Sequence, residues 1–220
     1  MSKMQLYYWD IRALGEPIRL MLEYLGVEYE NKHPTSGEEW FASKFDQGID
    51  FPNLPYLIDG DKKIPQSYAI MRYLTRKYKS LGGGDSEEQI KNTDVAEGFC
   101  NDLRMPFYIQ LFMPNFEENK ANFIKDIPKK MKPLELVLAK GRKWSAGDQL
   151  SYVDFAICEN LDHYEMFAPG CLDASPHVKK YKAAFDALPK IAAYRKSDRF
   201  QKWPVTGGTA KWGSRVSMAK

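Results

Sequence analysis

Residues 4–32 read MQLYYWDIRALGEPIRLMLEYLGVEYENK, and the pattern of apolar residues changes twice along them. Met4 to Trp9 is a short apolar and aromatic run, suited to a buried strand. A turn follows, and Pro17 then opens a helix, where its missing N–H costs nothing. Ile18, Met21, Leu22 and Leu25 recur at helical spacing, and Gly26 stops the helix. Val27 to Lys32 reads as a second strand. A strand–helix–strand unit places its two strands parallel in one sheet.

Working outward, a short helix is expected around Glu38 to Phe45. Residues 55–64, PYLIDGDKKI, read as two strands joined by a glycine turn. Ser67 has the chemistry of an N-cap for a helix from Tyr68 to Lys79, whose apolar face carries Ile70, Tyr73 and Leu74. Leu81-Gly-Gly-Gly-Asp-Ser86 is the clearest linker. From Glu87 to about Arg199 the periodicity is helical, with no convincing strand. Phe123, Ile127, Met131, Leu134 and Leu138 mark one face of a long helix that Pro128 and Pro133 should bend or break. Ser151-Tyr-Val-Asp154 resembles a capping box, with Asp in place of the usual Glu. The expected division is an α/β domain over residues 1–83, a linker over 84–89, an all-helical domain over 90–207 and a C-terminal tail over 208–220, whose basic stretch from Lys211 to Lys220 reads as a solvated end.

Composition narrows the function. Lys and Arg number 32 against 29 Asp and Glu, too even and too scattered to argue for nucleic acid. No segment reaches 18 consecutive apolar residues, which argues against a membrane span. The N-terminal residues lack the apolar core and cleavage site of a secretory signal, so a cytoplasmic location is expected. Cys100, Cys158 and Cys171 are odd in number and widely spaced, which suits buried thiols in a reducing compartment. His33, His163 and His177 have no ligand spacing, so no metal site is expected.

Open α/β sheets bind ligands beyond the carboxyl ends of their parallel strands. Tyr8 and Trp9 stand there, although a tyrosine so placed reads first as a packed aromatic. Asn53-Leu54-Pro55 reads first as a strand-start proline. The alternative is a cis Leu54–Pro55 bond that offers the Leu54 backbone to an extended ligand. Gln66-Ser67 opens a helix, either as a plain cap or as a seat for a carboxylate. Together the three describe a groove for a small anionic peptide with a phenol near one end.

Five stretches carry a resemblance: Tyr8-Trp-Asp-Ile-Arg12, Asp50-Phe-Pro-Asn-Leu-Pro-Tyr-Leu-Ile-Asp-Gly60, Ile64-Pro-Gln-Ser67, Ala69-Ile-Met-Arg-Tyr73 and Tyr152-Val-Asp-Phe155. From Leu6 to Trp212 the chain resembles a cytosolic glutathione transferase, most closely of the mu class. The resemblance implies a thioredoxin-like domain joined to a helical bundle. It implies a homodimer that conjugates glutathione to small apolar electrophiles, with glutathione as cosubstrate and no prosthetic group. Tyr8 matches the catalytic tyrosine, whose hydroxyl hydrogen-bonds the glutathione sulfur and favours the thiolate. Trp9, Leu14, Gly37, Trp40, Lys44, Asn53, Leu54, Gln66 and Ser67 fall on glutathione-binding positions, and Asp102 on one that reaches across the dimer. Phe51 matches the aromatic that plugs into the partner subunit, and Arg72 falls at the same interface. Met105, Tyr108, Phe112, Thr206 and Gly207 are expected around the second substrate. Ser151 and Asp154 match a cap with a folding role.

Three departures stand out. Phe112 stands where many mu-class enzymes carry a tyrosine that assists the second substrate. Gly37 replaces an arginine within a short loop from His33 to Trp40. Pro133 lies inside the long helix. Two alternatives keep the same fold: a non-catalytic carrier of hydrophobic ligands, and a glutathione-dependent isomerase or peroxidase. A thioredoxin-like oxidoreductase ranks last, because the first domain has no cysteine.

Overall fold

The computed structural model describes residues 3–218, excepting the side chain of Met218. The first unit runs β1 (Met4–Tyr7), α1 (Glu16–Leu25), β2 (Tyr29–Lys32), α2 (Gly37–Ser43), a 3-10 turn (Lys44–Asp46), β3 (Tyr56–Asp59), β4 (Lys62–Pro65) and α3 (Ser67–Tyr78). The strands order as β2-β1-β3-β4. β1 and β2 are parallel, with Met4 opposite Tyr29, and β3 runs antiparallel to both β1 and β4. Alternation along β1 sends Met4 and Leu6 into the core. Pro17 lies in the first turn of α1, and Gly26 closes the helix at φ 72°, where glycine meets no Cβ penalty.

Six helices follow: α4 (Glu87–Phe112), α5 (Phe116–Leu138), α6 (Tyr152–Phe167), α7 (Pro176–Asp186), α8 (Pro189–Arg195) and α9 (Arg215–Met218). α6 is the axis of the molecule. Thirteen of its sixteen residues are buried, and it packs on α4, α1, α7 and α3. A helix covered on all sides must be apolar nearly all round or pair its polar groups, and α6 does both. Asp154 Oδ2 accepts the Ser151 backbone N–H at 2.7 Å and its hydroxyl at 2.9 Å. Asp154 Oδ1 accepts the Ser145 N–H at 2.9 Å and the Tyr181 hydroxyl at 2.8 Å.

Three expectations change. Ser67 is not the cap of α3 but its first residue; Gln66 holds the cap position at φ 72°, and its side chain bonds no end N–H. α5 runs unbroken through Pro128 and Pro133. Both prolines are exposed, so the lost backbone bonds fall toward solvent, while Ile127, Met131, Leu134 and Leu138 anchor the opposite face. Finally, the C-terminal segment is no wholly solvated tail. Ala210, Gly213 and Ser214 are buried, and Trp212 packs edge-on against Phe107, Phe167 and Trp203. Lys211 N–H donates to the Leu111 carbonyl, and Val205 and Thr206 N–H both donate to that of Gly213.

Candidate active site

β1 ends one residue before Tyr8, whose N–H still donates to the Lys32 carbonyl at 3.1 Å. The chain then leaves the sheet and loops over to α1. Arg12 and Ala13 N–H donate to the carbonyls of Pro204 and Val205, which fastens this loop to the C-terminal segment. The result is a cavity of about 360 Å³ between the two domains. Tyr8, Trp9 and Leu14 line it from the first domain, with Ile11 and Ala13. Met105, Tyr108 and Phe112 line it from α4, with Arg104, and Thr206 and Gly207 close one side. The spacing on α4 brings residues 105, 108 and 112 to one face.

Tyr8 is buried, and its hydroxyl oxygen accepts the Leu14 N–H at 3.2 Å. That bond uses a lone pair and leaves the phenolic proton to be donated elsewhere. Burial pushes the Tyr8 pKa up to about 12, against the pull of the Leu14 N–H and of Arg19 and Arg104. The group therefore stays a protonated donor at neutral pH and is no base. Gly15 fits it closely: a Cβ at that position would lie 2.5 Å from Tyr8 Cδ1.

None of the remaining candidate residues lines this cavity. Trp40 is buried and stacks on Tyr56, with ring centroids 6.0 Å apart; both border a neighbouring hollow of about 170 Å³. Lys44 opens the 3-10 turn, its ammonium 5.0 Å from the Phe45 ring. Leu54–Pro55 is cis, and the Leu54 N–H donates to Asn53 Oδ1 at 2.9 Å. Asn53 and Gln66 are exposed, and Ser67 is half-buried. Gly37 has open space where a side chain would stand. Asp102 is exposed on α4, and Phe51 projects with 86% of its surface exposed. Arg72 bonds the Tyr152 hydroxyl at 3.3 Å and pairs with Glu97, tying α3 to α4 and α6.

Sequence reasoning missed the charged layer beneath the cavity. Arg12 is buried with Nε 2.9 Å and Nη2 2.7 Å from the two oxygens of Glu159, and 2.5 Å from Asp162. Glu159 in turn lies 2.7 Å from His163. Arg19 and Glu16 form a second buried pair at 2.9 Å. Arg12 stood inside a motif, but its partners lie about 150 residues away and no periodicity links them. Among the described residues no cluster of three or more His, Cys, Asp or Glu could hold a metal, and no helix is long and apolar enough to cross a membrane.

A mixed four-stranded sheet ending its first strand at a phenol, joined across an apolar cavity to a helical bundle, defines a thioredoxin-like two-domain protein. Residues 4–76 match the family described as "Glutathione S-transferase, N-terminal domain", and residues 101–198 match "Glutathione S-transferase, C-terminal domain". Glutathione S-transferase Mu 1 of Rattus norvegicus is 45% identical over 219 residues, covering 96% of this chain and 99% of the relative. Glutathione S-transferase Mu 1 of Bos taurus is 43% identical, with the same coverage. Among solved structures, the glutathione S-transferase Blo t 8 superposes with a TM-score of 0.87 at 32% identity, over 95% of this chain and 99% of that one. The pi-class enzyme of Onchocerca volvulus gives 0.83 at 31% identity, over 95% and 100%. The chain belongs to the glutathione S-transferase family.

Proposed function

We propose that this chain is a mu-like glutathione transferase that presents the glutathione thiolate to small hydrophobic electrophiles. One observation carries the reading: the Tyr8 hydroxyl, held by the Leu14 N–H, stands in the wall of an apolar interdomain cavity with its proton free to donate. A hydrogen bond to sulfur favours thiolate over thiol, and a downward shift of about two pKa units represents roughly 2.7 kcal/mol. The thiolate then attacks an electrophile seated against Trp9, Met105 and Phe112. The apolar wall selects by shape and hydrophobicity, which suits broad specificity.

The tripeptide would lie along Trp40, Lys44, Asn53, Leu54, Gln66 and Ser67. Lys44 and Trp40 would meet its glycine carboxylate, and the α3 N-terminus, with no side-chain cap, its γ-glutamyl carboxylate. Asp102 and Phe51, both exposed, would act across a homodimer interface, with Arg72 nearby. A cytoplasmic location accords with the absence of paired cysteines among the described residues.

Tyr8→Phe tests the assignment. With 1-chloro-2,4-dinitrobenzene, kcat/KM should fall about 100-fold, the scale of one lost donor at developing charge. The pKa of bound glutathione, read from thiolate absorbance, should rise. Equal rates and equal thiol pKa in the two proteins would remove Tyr8 from the chemistry.

A further inference from the structure

Tyr8 is the first residue past β1, and the sheet serves only one of its two backbone groups. In a parallel pair, a residue's N–H and carbonyl bond to the two neighbours of the residue opposite. Tyr7 stands opposite Lys32, so the same register sets Tyr8 opposite His33. The Tyr8 N–H accordingly donates to the Lys32 carbonyl. The Tyr8 carbonyl calls for the N–H of residue 34, but that residue is Pro34, which has none. The His33 side chain supplies the donor instead, with Nδ1 2.9 Å from the Tyr8 carbonyl oxygen.

A carbonyl only accepts, so Nδ1 carries a proton whether the ring is neutral or charged. The ring is also held from behind. Arg19 Nε donates to Asn31 Oδ1 at 3.1 Å, which turns the Asn31 amide nitrogen to His33 Nε2, 3.2 Å away. Arg19 is itself buried and paired with Glu16. Asp10 Oδ1 lies 3.7 Å from the same ring nitrogen. The amide suits a neutral ring and the carboxylate a charged one, so the bond to Tyr8 does not depend on the charge of His33.

The peptide held in this way joins Tyr8 to Trp9, where the chain leaves the sheet. Its direction sets the course of the loop that returns to Leu14, whose N–H donates to the Tyr8 hydroxyl. Resting on the reading of Tyr8 as the group that stabilises the glutathione thiolate, we propose that His33 is a positioning residue for that step. Its Nδ1–H replaces the ladder bond that Pro34 cannot make and keeps the Tyr8 phenol aimed at the sulfur. His33 acts through the Tyr8 backbone and adds no covalent or proton-transfer step.

Two substitutions test this, each made in the wild type and in Tyr8→Phe. His33→Leu removes the donor at similar size, and His33→Asn puts an amide nitrogen where Nδ1 stands. With 1-chloro-2,4-dinitrobenzene, His33→Leu should lower kcat/KM about fivefold, the scale of one hydrogen bond, and raise the pKa of bound glutathione. His33→Asn should restore both. In Tyr8→Phe, which has no hydroxyl to aim, His33→Leu should lower the rate little further. A plain packing defect would lower it by the same factor in both backgrounds. A His33→Leu protein with the wild-type rate and thiol pKa overturns the proposal. So does a His33→Asn protein as impaired as His33→Leu, or an equal loss in the two backgrounds. If Tyr8→Phe alone matches the wild type, the thiolate-stabilising reading of Tyr8 fails first, and this inference with it.

Discussion

Gly15 shows how one absent side chain fixes the phenol of Tyr8. Its φ of −79° suits any residue, so glycine is there for space and not for backbone freedom. An alanine Cβ would lie 2.5 Å from Tyr8 Cδ1 and 3.0 Å from Arg19 Nη2. Tyr8 would have to give way, since buried Arg19 is held by Glu16, Asn31 and the Ile11 carbonyl. Gly15→Ala should therefore cut kcat/KM for the chlorodinitrobenzene about 10- to 100-fold, as expected when a reacting group is misplaced by a fraction of an ångström to an ångström. Overpacking should also cost about 1–3 kcal/mol in a denaturant melt. A variant as active as the wild type would mean that the ring has slack. At this scale the sequence was partly legible. Tyr8, Trp9, Leu14, Met105, Tyr108, Phe112, Thr206 and Gly207 converge on one cavity, from motifs about 200 residues apart. Gly15 gave no signal, because its role exists only once α1 folds back under the loop.

Elements were more legible than their ends. The periods of α1, α3 and α5 mark their buried faces because the core accepts mostly apolar side chains along their length. Ser67 misled because capping depends on backbone geometry, and at this helix Gln66 adopts the positive φ. Pro128 and Pro133 do not break α5, because packing along one face outweighs two lost bonds at the other. The Ser151–Asp154 pair was readable from spacing, but its reach was not. Asp154 also holds the Ser145 N–H and the Tyr181 hydroxyl, so one carboxylate joins α6 to the preceding loop and to α7. Asp154→Ala would leave these buried donors without a partner. A loss of about 3 kcal/mol or more is expected, beyond the ~1 kcal/mol of an exposed cap. Urea titration measures it, and a loss below ~1 kcal/mol would reduce Asp154 to an ordinary cap.

At the scale of the molecule, the two domains are joined by charge as well as by apolar surface. α1 packs on α6 and α8, and Arg12 reaches from the first domain to Glu159 and Asp162 in the second. Burial opposes ionisation of both carboxylates. Arg12, aided by His163 at Glu159 and by Lys182 and Arg195 at Asp162, outweighs it and holds both below the usual carboxylate range. Their folded pKa values lie below the unfolded ones of about 4. The stability they contribute is therefore full above about pH 4 and is lost as pH falls toward 2. Glu16 has the opposite sign: burial raises its pKa, so protonation in acid relieves a cost and offsets part of that loss. Arg12→Met removes the shared cation. It should cost about 3–5 kcal/mol at pH 7, where it leaves buried carboxylates undercompensated. It should also flatten the fall between pH 4 and 2, because Glu159 no longer titrates far below its unfolded value. Denaturant melts of both proteins at pH 7, 4 and 3 separate this linkage from a plain packing defect, which would lower stability equally at all three.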